Sequence, residues 1–144
     1  MSRRPATQSI TLVLPQPPPQ LGPNARAHWA VRARLTRALR AVAREAAIDR
    51  LDALGLGRPR ARAAEVTVTL VPAAARRRDR DNILASCKAV FDGLADAGVV
   101  DDDSALTHQP VVIAEPRRPA HLRVCIEWRT AARLDRGCGR ATPQ

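Results

Sequence analysis

Residues 76–106 read RRRDRDNILASCKAVFDGLADAGVVDDDSAL, and within them stand the side chains best suited to metal or phosphate chemistry. Asp79 and Asp81 are two positions apart, so in an extended segment both carboxylates aim at one point. Three consecutive aspartates, Asp101, Asp102 and Asp103, follow the turn expected at Gly98. Like charges packed roughly 4 Å apart cost about 4 kcal/mol per pair at an effective dielectric of 20, and a divalent cation relieves that cost. Hard oxygen donors select Mg²⁺ or Mn²⁺ over zinc, which makes Asp79, Asp81 and Asp103 candidate metal ligands. Two ordinary roles stay open beside this one: Asp81 as a helix cap and the triple aspartate as a solvated turn.

Lys88 is the single lysine of a chain with 24 Lys and Arg, and it falls where the acids gather. On one continuous helix it would stand seven residues past Asp81, close to the same face and about 10 Å along the axis. Asp92 returns to that face and is the i,i+4 neighbour of Lys88, so a plain helix pair is one reading. The other is a compact ammonium beside a metal-bound water or a scissile phosphate, offsetting developing negative charge.

The charge is divided along the chain. Seven of fourteen acids lie in residues 79–103 against only Arg80 and Lys88, a local −5, so the remainder of a +10 chain carries +15. A basic surface fits a polyanion, although an excess of arginine over lysine also arises from GC-rich codons. Arg76, Arg77 and Arg78, with Arg37, Arg40 and Arg44 of the first predicted helix, are the candidate phosphate contacts. One Phe, two Trp and no Tyr argue against stacking single-stranded bases. No glycine-rich phosphate loop or nucleotide fingerprint is present, so no nucleotide cofactor is expected. Cys87, Cys125 and Cys138 are widely spaced and without C-x-x-C, which supports neither a zinc knuckle nor a disulfide framework. The short apolar run before the prolines of MSRRPATQSITLVLPQPPP suits neither a signal segment nor a membrane span, and the expectation is a cytoplasmic protein with no membrane partner.

The elements that must position these residues follow from periodicity and breakers. QSITLVL (8–14) ends at Pro15 and EVTVTLV (65–71) at Pro72, both reading as strands. PQPPPQLGPN reads as a stiff surface loop. Residues 27–54 read as an amphipathic basic helix closed by Gly55 and Gly57. DNILASCKAVFDGLADAG reads as one helix of about four turns, opened by an Asp or Asn cap and closed by Gly98. Strands are expected over 107–114 and 121–128, parted by EPRRPA. The order β-α-β-α-β-β makes an α+β domain, a small mixed sheet of about four strands covered by two helices, over residues 1–129, with a disordered tail at 130–144.

RRRDRDN at 76–82, KAVFDGLADAG at 88–98 and the Asp102, Asp103, Ser104 run together resemble the RusA-type Holliday-junction resolvases, small endodeoxyribonucleases of bacteria and phages. The flanks agree more thinly: an opening strand ITLVLP, a loop reaching Pro23 and Asn24, and a long basic helix. The resemblance implies a magnesium-dependent homodimer that binds branched double-stranded DNA and nicks two strands of a four-way junction symmetrically. It implies Asp79, Asp81 and Asp103 as metal-binding carboxylates, Lys88 as the essential basic residue, and Asn82 and Asp102 as supporting positions. The family pattern has the lysine three residues after the asparagine; here it is six after, which on a continuous helix shifts Lys88 about 4.5 Å along the axis. A basic junction-binding protein of the same family with weakened catalysis is the alternative.

Overall fold

Alternating apolar and polar residues build a sheet with one dry face and one wet one. The computed structural model describes residues 6–130. In it β1 (Thr7–Leu14) leads through a 3-10 turn at Pro19–Leu21 into α1 (Trp29–Leu54) and then β2 (Ala64–Val71). After these come α2 (Arg80–Ala85), α3 (Lys88–Asp96), a 3-10 turn at Asp103–Ala105, β3 (Leu106–His108), β4 (Val112–Ile113) and β5 (His121–Arg129). The strand order is β1-β5-β2-β3, with β4 also on β2. β5 is antiparallel to both β1 and β2, whereas β3 and β4 run parallel to β2. The expected small mixed sheet covered by helices is therefore present. The tail at 130–144, with Cys138, lies almost wholly outside the described residues.

Ile10, Leu12 and Leu14 of β1, Val66 and Val68 of β2, and Val124 and Ile126 of β5 are buried on one face. They join one core with Leu39, Ala43, Ala47 and Leu51 of α1 and Val90 and Leu94 of α3. The other face carries exposed Ser9, Thr11, Val13, Arg123 and Glu127. Cys125 stands half-buried on that side, while Cys87 is fully buried. Area removed from water at about 25 cal/mol per Å² makes this aliphatic layer the main stabilising contribution.

Local chemistry sets the helix ends. His28 Nδ1 accepts from the Ala30 amide to cap α1, and Gly55 closes it in the left-handed conformation at φ 66°. The Arg32 guanidinium donates to the carbonyls of Gln20 and Gly22, tying the proline loop to the helix.

Two expectations need correction. The long strand expected over 107–114 is two short ones, because Pro110 between them has no N–H for the ladder. The four-turn helix expected after Asp81 is broken at Ser86–Cys87 into α2 and α3. There Ser86 Oγ donates to the Asn82 carbonyl at 2.8 Å and Cys87 Sγ to that of Ile83 at 3.2 Å. Cys87 leaves helical geometry at φ −96°, ψ 5°. Side chains that bond back to the preceding turn compete with the helical ladder. Lys88 therefore opens a new helix instead of extending the old one.

Candidate functional site

Asp79 stands in extended backbone at the start of α2, where its Oδ1 accepts from the amides of Asp81 at 2.9 Å and Asn82 at 3.4 Å. The capping role considered for Asp81 belongs to Asp79, and Asp81 projects as an exposed residue of the first helical turn. Arg80 anchors this turn by donating to the Val111 carbonyl at 3.1 Å.

The triple aspartate arrives by a different route. Gly98 turns the chain at φ 80°, a conformation that suits glycine. Val99 and Val100 then plug into the core. The segment is pinned to residues 60–61, with Arg60 N donating to Gly98 O, Ala61 N to Val99 O and Asp101 N to Ala61 O at 2.8–3.0 Å. Asp101 and Asp102 emerge exposed from this anchor and Asp103 half-buried. Asp102 accepts from Ser104 Oγ at 2.7 Å.

Lys88 joins the two halves. Its ammonium donates to Asp92 Oδ1 at 3.0 Å and, in a short contact, to Asp103 Oδ2. The i,i+4 helix pair with Asp92 is thus present, and the same ammonium also pairs with Asp103. The hydrogen bond from Lys88 holds the Asp103 carboxyl below the usual carboxylate range, and Asp103, followed by Asp92, raises the Lys88 ammonium. The break at Ser86–Cys87 leaves Lys88 at a helix start, within reach of Asp103. Lys88 and Asp81 line a shallow hollow of about 430 Å³ with Phe91 and His108, whose rings lie 4.7 Å apart.

The fit of these groups to a divalent ion is partial. Their donor chemistry is carboxylate oxygen, which suits Mg²⁺ or Mn²⁺. Among the described residues, however, no three His, Cys, Asp or Glu side chains are grouped so as to hold a metal ion. Asp79 is engaged as a cap, and Asp103 already has a cation in Lys88. The arrangement offers Asp103 on the ammonium and Asp81 lining the same hollow as Lys88, and Mg²⁺ accepts one or two carboxylates when waters and phosphate oxygens complete its shell.

A second hollow of about 420 Å³ is bounded by Arg76, Arg77 and Arg78, Asp79 and Asn82, with Gln16, Pro17 and Pro19 opposite. Asp79 and Asn82 thus face this basic hollow, while Asp81 and Lys88 line the other. The Arg78 Nε is buried without a hydrogen-bond partner, and burial, with help from Arg76, lowers this guanidinium's affinity for its proton. An unpaired buried donor costs about 1–3 kcal/mol. The proline loop, a stiff connector by composition, is also a wall of this hollow, a contact of which its Pro-rich sequence carries no sign. Arg37 and Arg44 are exposed on α1, but Arg40 is committed to Asp96 through bonds of 2.5 and 2.8 Å. That pair clamps α1 to α3 and leaves Arg40 less available to phosphate than the sequence suggested. Among the described residues no helix is long and apolar enough to cross a membrane.

No family model matches the chain. A Xylella fastidiosa protein described as uncharacterized is 33% identical over 119 residues, which make up 83% of this chain and 76% of that protein.

Proposed function

The chain belongs to the same family as that Xylella fastidiosa protein, and we propose that it is a structure-selective endodeoxyribonuclease of the RusA type, cutting branched double-stranded DNA in the cytoplasm as a homodimer. The observation that carries the reading is Lys88, the lone lysine of a basic chain, held between Asp92 and Asp103 in the hollow that Asp81 also lines. When bound, Mg²⁺ or Mn²⁺ supplies Lewis acidity at a phosphoryl oxygen and a water made acidic enough to attack. Asp81 and Asp103 would hold it, while Asp79 caps α2 and lines the arginine hollow. Lys88, released from Asp103, would set its ammonium against charge building on the phosphate. Arg76, Arg77 and Arg78 would position the backbone on the other side of α2, where the buried Arg78 Nε lacks an acceptor.

The test is a labelled four-way junction with Mg²⁺ and with EDTA. Wild type should cut only with the metal. Asp81→Asn should keep junction binding and lose cutting by at least about 100-fold, beyond the 10–100-fold typical of groups that merely support a ligand. Equal loss of binding and cutting would count against the metal assignment. The ungrouped carboxylates favour one second reading, a junction-binding protein with weakened catalysis. Tight junction binding with no cutting under either Mg²⁺ or Mn²⁺ would select it.

A further inference from the structure

The chain has two tryptophans, and the fold uses one of them. Trp128 of β5 is 4% exposed and its Nε1 donates to Gln8 Oε1 at 3.1 Å, as a structural indole should. Trp29, the first residue of α1, is 75% exposed, more than any other large apolar side chain among the described residues. An indole anchoring the preceding loop would be buried; that loop is held instead by Arg32, through the carbonyls of Gln20 and Gly22. Trp29 is nonetheless set in place. His28 is fixed by accepting the Ala30 amide at 3.1 Å, and its ring lies 5.6 Å from the indole with the two planes 30° apart. Rings that close pack on each other and leave no slot between them, so a further ring can reach only the open face of the indole. The flanking sequence is basic: no Asp or Glu precedes Glu45, and Arg26, Arg34 and Arg37 are exposed on either side of Trp29. The proline loop that Arg32 holds also walls the arginine hollow at Gln16, Pro17 and Pro19, so it runs from that hollow to the helix start that carries the indole.

We infer that Trp29, packed on His28, is the contact that distinguishes branched DNA from linear duplex, by stacking on a base face left bare where strands part. Inside a duplex each base is covered by its neighbours and an indole finds nothing to stack on. At a branch point that cover ends. Arginines cannot draw this distinction, because linear duplex offers them the same phosphates. A chain with so few aromatic residues cannot follow a single strand base by base, but one rigid indole is enough for one base. An exposed indole also suits a protein partner. The acid-free, arginine-flanked setting favours the polyanion. This role rests on the DNA binding proposed above and needs neither metal nor cutting.

The measurement is Trp29 emission and binding affinity in EDTA, on a four-way junction and on a linear duplex with the sequence of two of its arms. The Trp29 signal is the difference between wild type and Trp29→Phe, which retains buried Trp128. The junction should quench that signal, and saturating duplex should leave it unchanged. Trp29→Ala should weaken junction binding about 5- to 150-fold, the worth of one stacked base, with duplex affinity and circular dichroism unchanged. Trp29→Phe should keep part of the preference, since a smaller ring still stacks. Should the variants fail to fold, junction quenching of total wild-type emission, absent with duplex, gives the same reading. Junction binding without quenching, or equal weakening on junction and duplex in Trp29→Ala, would overturn the inference. So would an indole already shielded from iodide in the free protein, which would assign it to a protein contact. Junction-selective quenching with no cutting under Mg²⁺ would support this role and remove the nuclease reading, whereas a protein that binds no DNA would remove both.

Discussion

Lys88 holds two carboxylates with one ammonium, and its worth lies in placement more than in stability. Its side chain is 65% exposed, so solvent screening keeps the pair's contribution to stability small. The signs are fixed by the shifts. Asp103 is lowered, so its share is present above the ordinary carboxylate range and fades as pH falls through its own titration. Lys88 is raised, so its share is present below the ordinary lysine range and fades as pH climbs through the raised value. Lys88→Ala should therefore move the urea unfolding free energy by less than about 1 kcal/mol while lowering Mg²⁺-dependent junction cutting about 100-fold. Lys88→Arg should rescue little of it, because a planar guanidinium does not replace a compact ammonium. Cutting left intact in Lys88→Ala would reduce the residue to a helix pair with Asp92. The lysine was legible from its isolation in an arginine-rich chain; its partner Asp103, fifteen residues away, was not, since that contact depends on where α3 begins.

The joint between α1 and α3 is what puts Lys88 and Asp92 on a fixed platform. Gly93 lies against α1 so closely that an added Cβ would stand 2.6 Å from the Arg40 carbonyl oxygen and 2.9 Å from Ala43 Cβ. Backbone cannot swing aside as a side chain would. Gly93→Ala should destabilise the fold by roughly 1–3 kcal/mol, seen as an earlier urea midpoint with unchanged slope, and should loosen the Arg40–Asp96 clamp one turn away. An unshifted midpoint would mean the helices can separate freely. β1, α1, β2 and β5 were readable because each keeps a clean period of 2 or 3.6 and stops at Pro15, Gly55 or Pro72. The α2–α3 break was not, since Ile83, Leu84, Cys87, Val90 and Phe91 continue a helical period with no glycine or proline between them. Only the hydroxyl and thiol of Ser86 and Cys87, bonding backward, mark the interruption. Pro110 did carry a signal for the divided strand, and the apolar run VVIA that follows it hid it.

Along the whole sequence, +15 of charge lies outside a segment of −5, and the two signs meet at α2, with Arg76, Arg77 and Arg78 at one hollow and Lys88 and Asp81 at the other. A uniform basic surface would hold DNA equally well, but it would repel the divalent cation that the proposed cutting needs. Segregation allows both, because exposed charges more than about 8–10 Å apart are largely screened in physiological salt. The two functions should then respond differently to salt and to mutation. Each phosphate neutralised on a duplex adds about −0.9 to the slope of log affinity against log salt. Replacing Arg76, Arg77 and Arg78 together by alanine should weaken binding to all junction sequences alike and flatten that slope by about 1 to 3. Asp81→Asn should leave the slope unchanged or steeper, having removed a negative charge outside the phosphate track. A triple variant with the wild-type slope would show that the arginine hollow does not meet the DNA backbone, and the division of labour between the two sides of α2 would fall with it.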